Sequence, residues 1–153
     1  MIDTQPTSPR KPKILLVEDN DTYRKIVKNA MALSNIEVYE AENGLKGLEL
    51  AHLMKPDLVI TDIYMPAMDG MNMLGELKKD ATLAHIPVVM VTNVQEELDG
   101  AVKGGAEEAV LKSSLTPHQL IDVCKKHLSA ELASVIMTLP NPLESSGPIT
   151  SNQ

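Results

Sequence analysis

The sequence predicts an α/β domain built on five parallel strands with helices on both faces, and three observations carry that prediction. Short apolar runs of strand length alternate five times with longer segments of helical spacing, the order that right-handed strand-to-helix crossovers produce. Four of those runs end on a polar side chain: 13–17 leads into Glu18-Asp19, 57–61 into Asp62, 86–91 into Thr92 and 108–111 into Lys112. Open α/β sheets build their sites at the carboxyl ends of their strands in this way. Finally, 153 residues are enough to bury one core and too few for two.

The elements follow in order. Residues 1–12 hold three prolines among small polar residues and read as a flexible N-terminal arm, so the fold is expected to begin at Lys13. After the first strand, Asp21 precedes a helix over 22–33 in which Tyr23, Ile26, Val27, Ala30 and Leu33 share a helical stripe. Residues 36–41 alternate as a strand. Asn43-Gly44 then turns the chain into a second helix ending near Met54, with Leu45, Leu48 and Leu53 expected inside, and Lys55-Pro56 stops it.

The central strand, 57–62, carries Leu58, Val59 and Ile60 and ends on Asp62. Beyond the loop 65–70, Asp69 is the expected cap of a helix running from near Met71 to Lys79. His85-Ile86-Pro87 starts the fourth strand. Residues 95–103 form a weak, polar helix closed by Gly104-Gly105, and low apolar content makes it the element expected to move most readily. Thr116-Pro117 combines a capping hydroxyl with a proline at the first helical position.

In the last helix Leu120, Ile121, Val123 and Cys124 serve the core. Leu128, Leu132, Val135 and Leu139 then continue at a four-three-four spacing, which predicts a single long helix running past the sheet as far as Pro140. Such a seam, left in water, predicts a homodimer through the C-terminal helix, the rival reading being that this end folds back on its own domain. The folded unit is therefore expected over 13–139, with the Pro/Ser/Thr/Asn-rich stretch 140–153 as a disordered tail.

Composition narrows the function. A hydrophobic share of 43% excludes a chain disordered throughout. With 14 basic against 21 acidic residues the formal net charge is -7, and no Lys/Arg stripe interleaved with aromatics occurs, which excludes direct nucleic-acid binding. The lone Cys124 lies among apolar residues and reads as core; it excludes a disulfide framework and fits a reducing compartment. No apolar run approaches the roughly 18 residues of a membrane span, and 1–13 lacks a signal-peptide core, so the expected location is the cytoplasm. Phe and Trp are absent and nine methionines fill the core with the aliphatics, which argues against stacking platforms for bases or flavins. His52, His85, His118 and His127 lack ligand spacing, and neither a Gly-x-Gly-x-x-Gly nor a Walker pattern is present.

The polar strand ends permit a particular chemistry. Adjacent Glu18 and Asp19, facing Asp62 across a neighbouring strand end, form a hard-oxygen site suited to Mg²⁺. Clustered carboxylates repel one another until a cation is added. Lys112 offers a point charge to Asp62 or to an anionic oxygen attached to it, and Thr92 offers a donor. An aspartate nucleophile accepting a phosphoryl group needs this combination of metal, ammonium and hydroxyl.

On these residues the sequence resembles the receiver domain of two-component response regulators. Residues 15–20, 57–70, 87–92 and 105–112 carry the likeness, which extends over about 13–132, and the run from Asp62 through Met65-Pro66 and Met68-Asp69-Gly70 is its most specific part. The resemblance implies a doubly wound, flavodoxin-like (βα)5 sheet with strand order 2-1-3-4-5. It implies that Asp62 is the phosphoacceptor, that Glu18, Asp19, Asp62 and the backbone carbonyl of Tyr64 hold Mg²⁺, for which Mn²⁺ substitutes, and that Thr92 and Lys112 contact the acyl phosphate. The donor would be a sensor histidine kinase or a histidine phosphotransfer protein, and the output would pass to a downstream protein. No independent metabolic reaction is expected, only metal-dependent self-phosphorylation from a phosphodonor and slow autodephosphorylation. Slowness follows because the positions two after the phosphoacceptor and two after the threonine are Tyr64 and Val94, neither suited to orienting water. The start at Met1 and the polar tail fit a stand-alone regulator.

Two departures from the family pattern bear on output. Ala109 stands where an aromatic switch residue is usual, and Ser113 where a proline follows the lysine. Displacement of the weak helix at 95–103 is the expected alternative route. A degenerate receiver serving as a phosphorylation-independent docking module is a second reading. An aspartate phosphatase of the haloacid dehalogenase type would need an acid two residues beyond its nucleophile, where this chain has Tyr64, together with a cap insertion.

Overall fold

Strands of four or five residues alternate with helices through the computed structural model, which describes residues 9–137. Expectations for 1–8 and for 138–153, including Leu139 and the tail, fall outside the described residues. The strands are β1 (Lys13–Val17), β2 (Glu37–Ala41), β3 (Leu58–Asp62), β4 (Val88–Thr92) and β5 (Glu108–Leu111). They pair in parallel in the order β2-β1-β3-β4-β5, the doubly wound arrangement that the sequence predicts. β3 and β4 are buried along their whole length because helices cover both faces. Register aligns their far ends: Val17 lies opposite Thr61, Asp62 opposite Val91 and Thr92 opposite Leu111. That alignment is why residues following four different strands meet at one rim.

The helices are α1 (Asp21–Leu33), α2 (Gly44–Met54), α3 (Gly70–Lys79), α4 (Leu98–Lys103), α5 (Pro117–Lys126) and α6 (Ala130–Ser134), with short 3-10 turns at Gln95–Glu97 and Lys112–Ser114. Alternate strand residues feed two cores. Leu15, Val17, Val59 and Met90 meet Met73, Leu74 and Leu77 of α3 on one face, while Ile14, Leu16, Ile60 and Val89 meet Val27, Met31, Leu120 and Cys124 on the other. Asp69 caps α3 through Asn72 N, and Thr116 with Gln119 forms a full capping box on α5.

Several sequence expectations are corrected. In α1 the buried residues are Val27 and Met31, while Ile26 and Leu33 are 51% and 67% exposed; the helix begins at Asp21 with Asn20 as its cap. In α2 Leu45 and Leu53 face outward and Gly44, Gly47 and Ala51 face inward. A methyl group on Gly47 would lie 2.8 Å from Met73 Sδ and 2.9 Å from Val17 Cγ2, so α2 approaches β1 and α3 most closely at its smallest residues, while Leu48, as expected, packs against the same core.

The third correction concerns the C-terminal helix, which does not run on. α5 ends at Lys126 with His127 as its C-cap, and Ser129 caps a separate α6 by accepting from Leu132 N at 3.2 Å. The chain folds back: Ile136 is buried and Leu128 packs against the same cluster as α1 and α5, while Met137 N donates to Ser34 O at 2.9 Å and Asn35 Nδ2 to Val135 O at 3.0 Å. The single projecting helix on which the homodimer inference rested is thus broken among the described residues, with Leu128 turned to the domain's own core. Burial on the chain's own core gains roughly 1.5–3 kcal/mol per fully buried side chain without any association cost.

Order also begins earlier than Lys13. Arg10 makes a bidentate pair with Asp57, Nη1 to Oδ2 at 2.8 Å and Nη2 to Oδ1 at 2.7 Å, and buried Pro12 accepts from Glu37 N at 3.0 Å. The last residues of the expected arm are therefore part of the fold.

Candidate functional site

Glu18 follows β1 and is fully buried, Asp62 closes β3 at 9% exposure, Thr92 closes β4 at 1%, and Lys112 follows β5 in the 3-10 turn Lys112–Ser114. Asp19 is exposed beside Glu18. The Lys112 ammonium lies 2.7 Å from Asp62 Oδ2 and 3.0 Å from Glu18 Oε1, joining the outer strand to both acids. Glu18 Oε2 is also within 2.8 Å of Lys112 Nζ but is too poorly aligned to accept a hydrogen bond, and it remains a buried oxygen without one. Asp62 Oδ1 accepts from Ile63 N at 2.7 Å. Thr92 Oγ1 accepts from Val94 N at 3.1 Å, which leaves its own hydrogen free to be donated.

Charge at this rim is unbalanced: three carboxylates face one ammonium. Burial pushes the Glu18 carboxyl above its ordinary range, and the Asp62 charge adds to the push while Lys112 opposes it. Burial works against the Lys112 charge, yet its bonds to Asp62 and Glu18 outweigh that and raise its pKa, so it stays protonated at neutral pH. One oxygen each from Glu18, Asp19 and Asp62 lies within 4.8 Å of the others. Hard oxygen donors and excess negative charge together fit a divalent cation such as Mg²⁺.

The loop beyond Asp62 is held close by glycine. A methyl group on Gly70 would come 1.9 Å from the Asp62 carbonyl oxygen, and Gly70 N donates to Ile63 O at 2.7 Å, so α3 starts directly against the end of β3. Tyr64 lies in this loop, 56% exposed, with its hydroxyl bonded to Glu97 in the 3-10 turn before α4. Ala109 on β5 is half-buried, and the sheet edge offers no aromatic ring at that position.

Sequence reasoning missed three supporting residues in the first turn after β1. Asn20 caps α1 and donates its backbone N–H to Glu18 Oε1 at 3.2 Å. Arg24 Nη1 donates to the Glu18 carbonyl at 2.7 Å, pinning the backbone from which the acids project. Tyr23 is half-buried with its ring centroid 4.7 Å from Lys112 Nζ. Their positions one helical turn past Glu18-Asp19 were the available signal. Tyr23 also lines, with Asn20, Asn93, Lys112 and Ser113, a cavity of about 280 Å³ beside the acids.

Known proteins resemble this chain in sequence and in fold. Residues 14–125 match the family model of the response regulator receiver domain. The polar-differentiation response regulator DivK of Brucella anthropi is 32% identical over 116 residues, covering 75% of this chain and 94% of its own. The nitrate/nitrite response regulator protein NarL of Escherichia coli strain K12 is 35% identical over 121 residues, 78% of this chain, which spans only 56% of NarL. Among solved structures, the chemotaxis response regulator CheY4 of Vibrio cholerae aligns with a TM-score of 0.71 at 24% identity over 77% of this chain and 99% of that one. A response regulator described as putative, from Chloroflexus aurantiacus, gives 0.73 at 22% identity over 77% and 98%. At those identities the two structures speak to fold.

Proposed function

The chain belongs to the response regulator receiver domain family, and from that premise we propose that it accepts a phosphoryl group on Asp62 and signals through protein contacts. The observation that carries this reading is the ammonium of Lys112 shared between Asp62 and Glu18 while Glu18 Oε2 lacks a hydrogen bond. An acid pair assembled for stability alone would be charge-balanced; this one is poised to receive more cation.

Receiver domains interact with histidine kinases or phosphotransfer proteins, and the donor proposed here is the phosphohistidine of such a partner. A carboxylate oxygen of Asp62 attacks phosphorus, an O–P bond forms and the P–N bond breaks, with the imidazole as leaving group. Glu18, Asp19 and Asp62, with the Tyr64 carbonyl, would hold Mg²⁺ or Mn²⁺, which supplies positive charge against the phosphoryl oxygens. Lys112 exchanges its Asp62 contact for an oxygen of the transferred group, and Thr92 donates its free hydroxyl hydrogen to another. The exposed Tyr64 and Val94 orient no water, which supports a long-lived acyl phosphate. No described helix is long and apolar enough to cross a membrane, and we assign the protein to the cytoplasm with its kinase and its downstream target.

Incubation with acetyl phosphate and Mg²⁺ tests the reading by intact mass. One added phosphoryl group is expected on the wild-type chain and none on Asp62→Asn or in excess chelator. Undiminished labelling of Asp62→Asn overturns it, and complete failure of the wild type favours the phosphorylation-independent docking module.

A further inference from the structure

Lys112 is the least firmly rooted member of the site. Asp62 and Thr92 end strands that are buried throughout, whereas Lys112 follows the edge strand β5, half-buried along its length, and opens a 3-10 turn without a side-chain cap. A lysine side chain carries about 1.5–2 kcal/mol of rotamer entropy that must be lost to hold its tip in one place. The side chain is nevertheless only 12% exposed, and its ammonium sits between two acids. The third neighbour is the ring of Tyr23, 4.7 Å from Nζ to centroid, within the range of a cation–π contact.

Tyr23 is itself well anchored. It stands in the first turn of α1, whose cap Asn20 accepts from Tyr23 N at 2.9 Å, and its ring packs beside the core shared by α1 and α5. Its hydroxyl makes no hydrogen bond to a described residue, so the ring is what the site uses. The carboxylates alter their claims on Lys112 when Asp62 gains a phosphoryl group and a cation neutralises Glu18. The ring's pull on the ammonium is the same before and after.

We propose that Tyr23 is a positioning residue for phosphoryl transfer, its ring seating the Lys112 ammonium at the mouth of the acidic site. This inference rests on the reading of Asp62 as phosphoacceptor and adds a requirement to it. The contact also explains how Lys112 is held at a sheet edge where Ser113 follows it and Ala109 precedes it on β5.

The test compares Tyr23→Leu, Tyr23→Met and Tyr23→Phe, each shown folded by circular dichroism, in labelling by acetyl phosphate with Mg²⁺. Loss of a desolvated cation–π contact predicts a drop of about five- to tenfold for Leu and Met, with Phe within about twofold of wild type. In a Lys112→Ala background the Tyr23→Leu change is expected to have no further effect, because its whole action passes through the ammonium. A purely structural role would slow both backgrounds alike. Proton NMR gives an independent reading: Lys112 ε-methylene signals shifted upfield by the ring in wild type and Phe, and returned to ordinary values in Leu and Met. Equal labelling of wild type and Tyr23→Leu, an equal loss in the Lys112→Ala background, or a Phe variant as slow as Leu overturns the proposal. Failure of the wild type itself to label strikes instead at Asp62 as acceptor.

Discussion

Asp57 and Asp62 stand immediately before and at the end of the same strand, about 17 Å apart along it, and they are treated oppositely. At the lower end Asp57 receives both guanidinium nitrogens of Arg10 and the Lys13 N–H at 2.8 Å, so one carboxylate is matched by one cation and a backbone donor. At the upper end Asp62 shares a single ammonium with Glu18, Asp19 lies alongside, and one buried oxygen has no hydrogen bond. Burial opposes the Asp57 charge, but Arg10 and Lys13 outweigh it and its pKa is lowered; burial raises that of Glu18. A balanced carboxylate holds the fold together. An unbalanced cluster raises the energy of the empty site and makes room for an added cation and phosphoryl group.

The largest expected effect separates the two ends. Asp62→Asn should lower phosphoryl incorporation to background, a loss of at least roughly a thousandfold, while its fold survives by circular dichroism. Asp57→Asn should label at the wild-type rate and lose about 1 kcal/mol in urea denaturation. Equal effects of the two substitutions on labelling would erase the distinction drawn here.

What the sequence made legible follows the same division. Acids and hydroxyl at apolar strand ends are one-dimensional signals, and Glu18, Asp19, Asp62, Thr92 and Lys112 could be read as convergent because parallel strands in register put their carboxyl ends together. The supporting contacts were hidden, since they depend on how closely surfaces approach. Hydrophobicity put Leu45 and Leu53 of α2 inside, but α2 packs so tightly on Val17 and Met73 that Gly47 and Ala51 take those places. At the C-terminus, Leu128, Leu132 and Val135 suit a continuous helix as well as a broken one. Ser129 was a readable cap, yet only the buried place taken by Ile136 beside α1 and α5 decides that the chain turns back.

The next expected effect sharpens the upper end by way of Tyr64. Its hydroxyl ties the loop after Asp62 to Glu97 before α4, and its side chain offers water no acceptor suited to in-line attack. Tyr64→Asn should accelerate loss of the acyl phosphate about tenfold by providing an amide that orients water. Tyr64→Phe, which breaks only the link to Glu97, should stay within about twofold. Phosphate release after removal of the donor measures both, and an unchanged rate for Tyr64→Asn would falsify this account of a slow reset.

A divalent cation should stabilise the upper end alone. At tenfold excess over its Kd, Mg²⁺ is expected to add about 1.4 kcal/mol by linkage, read as a rise in Tm that Glu18→Gln diminishes and Asp57→Asn leaves intact. The pH dependence has a definite sign. Because the folded Glu18 carboxyl is raised above its unfolded value, the folded state binds more protons across that window, and metal-free stability falls as pH rises above the ordinary glutamate value of about 4.3. Mg²⁺ should flatten that slope. A metal-free stability that rises through the same interval, once the lowered carboxyls of Glu42, Asp57, Asp80 and Glu108 are accounted for by Glu42→Gln, Asp57→Asn, Asp80→Asn and Glu108→Gln controls, defeats the idea of a frustrated Glu18.

The smallest effect belongs to the lower end. Arg10 is 56% exposed, so its pair with Asp57 is screened by solvent and Arg10→Ala should cost only about 0.5 kcal/mol at neutral pH, with labelling unchanged. Here the sign is the reverse of that at Glu18. The folded Asp57 carboxyl is lowered, so its contribution is complete above the unfolded aspartate value of about 3.9 and disappears as pH falls through the lower, folded one. Urea denaturation of wild type and Arg10→Ala at a series of pH values should therefore show two curves that run parallel near neutrality and converge in acid. Added salt should narrow the gap at neutral pH, as screening of an exposed guanidinium requires. A gap that persists unchanged in acid would mean that Arg10 acts through packing of its stem against the chain and not through the Asp57 charge, and the lower end would then no longer be the charge-balanced counterpart of the site.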